Sequence, residues 1–263
     1  MPKALRLMEL REREVLKALE WLKQRTGGFT DPRLVMVGGY ALRAYVRFAR
    51  YTRDCDFILR KQDGWGIEKL KHMLPPNFSV EAFEKRGSYG FMRCVKLANV
   101  GGIKVKVSLD FMEGEVRGRG ARDIVRVDEE MVTKSKAVKL RIAGKDFELP
   151  VPRYVDLFIM KVVSARPSDV RDVASMLLEN GVPEELKQRL TQVLPFPEVF
   201  REKLSKKIMP EIMKETFLNS WRGAFATSEY TEEHRQKVLE LMKEILSELL
   251  SEKRGSLMNL NDA

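Results

Sequence analysis

The sequence predicts an α+β fold: a mixed β-sheet domain flanked by helices over residues 1–150, then a mainly α-helical domain over residues 151–263. Three observations carry this expectation. Short apolar or alternating segments recur between Leu34 and Leu149, bounded by glycine and proline. Pro150-Val151-Pro152 interrupts the chain, and beyond it apolar residues recur at helical spacing almost throughout.

From Ala4 to Arg25, Leu5, Met8, Val15, Leu16, Leu19 and Leu22 form one face of an amphipathic helix that ends at Gly27-Gly28. Leu34 to Val37 reads as a short buried strand closed by Gly38-Gly39, and Tyr40 to Arg50 as a helix with Arg43, Arg47 and Arg50 along one side. Asp54 to Leu59 is a second strand, and Gly64 to Leu74 a helix stopped by Pro75-Pro76. Phe78 to Phe83 and Phe91 to Leu97 are further strands, the latter turning through Val100-Gly101-Gly102. The clearest period of two follows: Ile103, Val105, Val107, Leu109 and Phe111 share one face, and Lys104, Lys106, Ser108 and Asp110 the other. Gly114 to Arg126 is a polar connection, and Ala137 to Leu149 a hairpin through Gly144. In the second half, helices are expected at Tyr154–Ala165, Ser168–Glu179, Pro183–Leu194, Glu198–Thr216 and Glu232–Glu252, the last followed by a flexible tail.

With 263 residues, 44% of them hydrophobic, the chain has enough apolar material for a substantial core, which argues against disorder. Lys and Arg outnumber Asp and Glu by 48 to 38, a formal +10 that favours an anionic partner without choosing which. No uncharged apolar run is long enough to span a membrane, and a charged helical pattern stands where a signal peptide would, so the expectation is a cytoplasmic protein with no membrane partner. Cys55 and Cys94 are too few for a disulfide framework, and His72 and His234 are isolated, so neither residue type supplies a zinc site.

The chemistry concentrates between Leu34 and Leu59. Asp54 and Asp56 lie two apart on a strand and so share a face, where like charges repel unless a cation or proton lies between them. If the strand carrying Asp110 pairs beside theirs, three carboxylates meet on one surface, an all-oxygen donor set suited to hard cations such as Mg2+ or Mn2+. Gly38 and Gly39 allow a ligand to approach the backbone at a helix start, which favours phosphate. Arg50, close to the acids in sequence, is a further phosphate candidate.

The order of glycine pair, helix, Thr52-x-Asp54-x-Asp56 and a later strand-borne Asp110 resembles the nucleotidyltransferase superfamily. That resemblance implies two divalent metals on Asp54, Asp56 and Asp110, with Gly38, Gly39 and Thr52 on the phosphates of an NTP. Gly38-Gly39-Tyr40-Ala41-Leu42, Arg50-x-Thr52-x-Asp54-x-Asp56, Asp156-Leu157-x-x-x-Lys161 and Asp169-Val170-x-Asp172-Val173 are similar to AbiEii-type nucleotidyltransferase toxins, over about Leu34 to Leu178. The likeness implies that Lys161, Asp169 and Asp172 complete a nucleotide cleft between the two domains. It further implies NMP transfer to an acceptor hydroxyl, with RNA such as tRNA as a candidate acceptor and a cognate antitoxin as a partner. The sequence departs from the family where Arg166-Pro167-Ser168-Asp169 replaces an Arg-x-Lys-Asp pattern. A non-catalytic nucleotide- or RNA-binding protein on the same scaffold is the alternative.

Individual residues also have plainer readings. Lys161 either neutralises a phosphate or extends its stem along an apolar helix, Asp169 could serve a helix N-terminus, and Asp172 could pair with Lys161.

Overall fold

The computed structural model describes residues 3–48, 50–60, 66–100 and 102–258. The expected helix start at Gly64, the Gly101 position of the hairpin turn and the end of the C-terminal tail lie outside them. The chain divides into two compact units. One comprises residues 1–44, 49–116 and 126–157, the other 45–48, 117–125 and 158–263.

The first unit is built on a five-stranded sheet from β1 (Val35–Val37), β2 (Asp54–Leu59), β3 (Ser79–Arg86), β4 (Tyr89–Val100) and β5 (Ile103–Glu113), in spatial order β1-β2-β5-β4-β3. The sheet is mixed, since β2 runs parallel to β5 while the remaining pairs are antiparallel. Alternation divides β2 and β5 between two environments. Cys55, Phe57, Leu109 and Phe111 are fully buried. Phe57 stacks on Phe111 at 5.5 Å, and Phe29 stacks on the other side of Phe57 at 6.1 Å. Helix α1 (Lys3–Arg25) contributes its buried Val15, Leu16, Leu19 and Leu22 to this core. It is tied to the sheet at its polar edge by Lys96 on Glu14 at 2.8 Å and Arg11 Nε on the Lys106 carbonyl at 3.1 Å.

After β1 the helix expected over Tyr40 to Arg50 is much shorter. Helix α2 spans Gly38–Ala41 and one 3₁₀ turn follows at Leu42–Ala44. The three arginines expected along one side of it therefore do not share a helix face. Arg43 is buried against Glu12 and donates to the Arg141 carbonyl at 2.6 Å, whereas Arg47 belongs to the second unit and bonds Glu179 and Glu229. These acids lie far away in sequence, so local periodicity could not reveal them. A 3₁₀ helix at Ile67–Met73 is pinned by Glu113, which accepts from the Ile67 N–H at 3.0 Å and pairs with Lys85 at 2.5 Å. The polar connection after Gly114 is more ordered than expected: β6 (Glu115–Arg117) and β7 (Ile124–Arg126) pair as a short ribbon. Helix α3 (Glu129–Thr133) leads to the hairpin of β8 (Lys136–Ile142) and β9 (Lys145–Val151).

The second unit is helical. It holds most of α4 (Tyr154–Ser164), then α5 (Pro167–Asn180), α6 (Leu186–Val193), α7 (Glu198–Lys203), α8 (Met209–Met213), α9 (Phe217–Phe225) and α10 (Glu232–Met258). A turn of π-helix at Leu204–Ile208 joins α7 to α8. Helix α9 was not expected from the sequence; it carries Trp221, which stacks on Tyr230 at 4.0 Å and donates its indole N–H to Ser175 at 2.8 Å. Val238, Met242 and Ile245 of α10 are buried. Helix α5 starts one residue earlier than expected, with Arg166 at the N-cap and Pro167 in the first turn, where its missing N–H costs nothing. Among the described residues no helix is long and apolar enough to cross a membrane.

Candidate active site

The strand register assembles the carboxylates. Asp56 lies opposite Asp110 and Asp54 opposite Ser108 across the parallel β2–β5 pair, so all four side chains share the face opposite Phe57 and Phe111. Neighbouring strands run about 4.8 Å apart and alternate residues about 6.6 Å, which is carboxylate spacing for shared cations. Ser108 Oγ donates to Asp54 Oδ1 at 2.7 Å. The combined field registers on the other face: burial pushes the Cys55 thiol well up, and the negative charges of Asp56, Asp110 and Asp54 push it further.

Gly38 and Gly39 are required sterically. Gly38 sits at φ +70°, where side chains are strained, and a Cβ there would lie 2.0 Å from Asp56 Oδ2. A Cβ on Gly39 would lie 2.7 Å from both Cβ and Oγ1 of Thr52. The glycine turn is thus packed directly onto the acidic strand and the residue leading into it. Thr52 Oγ1 donates to the Asp54 carbonyl at 3.2 Å, and Arg50 donates to the Tyr51 carbonyl at 3.3 Å.

Arg93 was not singled out in the sequence. It stands opposite Asp110 on β4 and grips it with two bonds, Nε to Oδ1 at 2.8 Å and Nη2 to Oδ2 at 2.5 Å. A signal for it existed, because the hairpin that sets Val100 opposite Ile103 carries in unbroken register to Arg93 opposite Asp110. Ser108 was legible in the same way, two residues before Asp110 in the alternation.

The donor set fits a hard divalent cation at Asp54 and Asp56, which offer carboxylate oxygens on one partly exposed face. Asp110 fits by chemistry, but both its oxygens are on Arg93. Among the described residues no three His, Cys, Asp or Glu side chains converge as a ready-made metal cluster.

Lys161, Asp169 and Asp172 form a closed network within the second unit. Lys161 Nζ donates to Asp169 Oδ1 at 3.1 Å and Asp172 Oδ2 at 2.7 Å, and all three side chains are buried. Asp169 also accepts from the Arg166 backbone N–H at 3.2 Å and from its Nε at 2.9 Å, so Arg166 adds a second basic contact beside Lys161. Burial would raise the Asp169 carboxyl, but Lys161 and Arg166 outweigh it and hold the group well below the ordinary carboxylate range.

This is a strand-borne acidic face beside a glycine turn. The chain belongs to the AbiEii family, described as nucleotidyl transferase toxins of type IV toxin–antitoxin systems, whose family model matches residues 22–248. No curated protein matches the chain. Among solved structures it is similar to JHP933 from Helicobacter pylori, with 14% identity and TM-score 0.44 over 95% of this chain and 98% of that one. It is also similar to a candidate nucleotidyltransferase from H. pylori, with 13% identity and TM-score 0.45 over 91% and 95%.

Three expectations follow from the geometry. Gly38→Ala will destabilise the first unit by about 1–3 kcal/mol through backbone strain alone, with the clash on Asp56 added, and chemical denaturation will measure it. Lys161→Met will cost about 3–5 kcal/mol by leaving two buried carboxylates without their shared cation. Because the Asp169 pKa is depressed on folding, its stabilisation is complete above the unfolded value and is lost as pH falls below about 3.9. The difference in melting temperature between wild type and Asp169→Asn should therefore be constant near neutrality and shrink in acid; a gap that widens in acid would contradict the assignment.

Proposed function

We propose that this chain is a metal-dependent nucleotidyltransferase that moves an NMP from an NTP to an acceptor hydroxyl. The observation that carries the reading is the in-register placement of Asp56 against Asp110, with Asp54 two residues away on the same face and the glycine turn packed onto Asp56. In this reading Asp54 and Asp56 hold Mg2+ or Mn2+, and Asp110 joins them on release from Arg93. Bound there, divalent cations would neutralise phosphate charge and acidify the acceptor hydroxyl. Gly38 and Gly39 leave room for the triphosphate, with Thr52 and Arg50 as its side-chain contacts. The acceptor oxygen attacks the α-phosphorus, the bond to the β-phosphate bridging oxygen breaks, and pyrophosphate departs while the hydroxyl proton passes to solvent.

Lys161, Asp169 and Asp172 enter the proposal as nucleotide-binding residues of the helical half. Since both carboxylates hold Lys161, its contact with a phosphate requires exchange of at least one of them. RNA, including the 3′ end of tRNA, is the proposed acceptor class, in keeping with the formal charge of +10. Family membership supports a toxin role with a cognate antitoxin as partner. The alternative, nucleotide or RNA binding without turnover, is favoured by the Arg93 grip on Asp110, which occupies the third carboxylate.

The direct test is transfer of label from an α-labelled NTP to RNA. Wild type should transfer, and Asp54→Ala/Asp56→Ala should not; equal transfer by both would sink the proposal, whereas NTP binding with no product from wild type selects the alternative. Arg93→Gln should bind Mn2+ about tenfold or more tightly by calorimetric titration, because a charge-assisted hydrogen bond is worth roughly 1.5–3 kcal/mol. Unchanged or weaker Mn2+ binding would mean that Asp110 does not exchange its guanidinium for the cation.

A further inference from the structure

The helical unit contains a cavity of about 380 Å³ remote in sequence from the acidic strands, walled by the start of α5, the π-turn with α8, and α9. That volume lies in the range of small-ligand sites. Its charge is one-sided: Arg171, Lys206, Lys207 and Lys214 line it with Glu211 as the opposing acid, and Lys214 is bridged to Glu211 at 2.5 Å. Among the described residues neither Lys206 nor Lys207 has an ion-pair partner, in contrast to Arg122 and Lys203 of the same unit, which are matched to Glu198, Glu202 and Asp123.

Two further features set the cavity apart from an ordinary basic surface. Consecutive residues of a regular helix point to different sides, yet Lys206 and Lys207 both line this cavity, and they do so within the π-helical turn Leu204–Ile208. Such turns are rare and concentrate at functional sites. Arg171 donates Nη1 to Ser220 Oγ at 2.7 Å, but its buried Nε has no acceptor among the described residues. A buried donor without an acceptor is unfavourable, and this one belongs to a guanidinium on the cavity wall.

We propose that this cavity binds phosphate groups, as a second anion site independent of the acidic strands. Lys206 and Lys207 supply point charges suited to phosphate, and Arg171 with Ser220 supplies directional donors. The phosphate could belong to a free nucleotide or to an RNA backbone, and the test separates the two.

ATP without divalent metal and a short single-stranded RNA are each titrated into Asp54→Asn/Asp56→Asn protein, so the result does not depend on the metal-site reading. Lys206→Ala/Lys207→Ala is compared with Lys237→Ala/Lys243→Ala, which removes equal charge from exposed positions on α10. All four lysines are exposed, so melting temperatures should match. Loss of Lys206 and Lys207 should weaken binding about tenfold or more and lower the logarithmic salt slope for RNA by about 1.4, since each phosphate contact on a single strand contributes roughly 0.7. An effect on both probes identifies a nucleotide phosphate site, and an effect on RNA alone a backbone site. If neither probe responds, or the α10 control weakens binding as much, the proposal is overturned.

Discussion

The register of β2 on β5 is the constraint on which the first unit depends. Phe57 stacks on Phe111 and Asp56 stands opposite Asp110 in one and the same alignment. Because side chains alternate, a slip of one residue would turn Phe57 out of the core and the aspartates into it. Burying two aromatic rings is worth several kcal/mol, more than the arrangement of the carboxylates on the other face. The acidic face is therefore positioned by the apolar face behind it, and like-charge repulsion is tolerated because the core fixes the strands.

That repulsion is offset in different ways at each acid. Asp54 receives a neutral hydroxyl from Ser108, which orients the carboxylate without cancelling its charge. Asp110 is nearly buried and carries a guanidinium gripping both oxygens. A carboxylate so deeply placed needs a cation, and Arg93 supplies that counter-charge within the strand pair. The helical unit solves a similar problem with Lys161 between Asp169 and Asp172, and there Arg166 adds a second cation on Asp169.

The parts of this architecture that rest on local pattern were readable in the chain. Alternation from Ile103 to Phe111 fixed which face Asp110 takes, and the glycine pair marked the turn before the acids. Interactions that depend on distant partners were not. Nothing near Arg43 announces Glu12, so the segment after the glycines read as a longer helix than forms. Helix α9 escaped because Trp221, Tyr230 and Ser175 make sense only as a buried cluster. Arg93 lies between these cases, because it follows from hairpin register once the turn is placed, although its own strand gives no hint of function.

The same distinction changes what the net charge means. A formal +10 suggests an anionic partner, yet many of the cations that produce it are engaged internally. Arg43 meets Glu12, Arg93 meets Asp110, Arg122 meets Glu198 and Glu202, and Lys203 meets Asp123. Paired charges create little field beyond a Debye length, about 8–10 Å at ordinary salt. Attraction for a polyanion must then come from the cations left over, and its direction from where they cluster. The wall formed by Lys206 and Lys207 is such a place, whereas Lys161 is paired inside the fold with Asp169 and Asp172. Charge composition thus points to the class of partner, and only the pairing pattern can indicate where on the chain that partner is met.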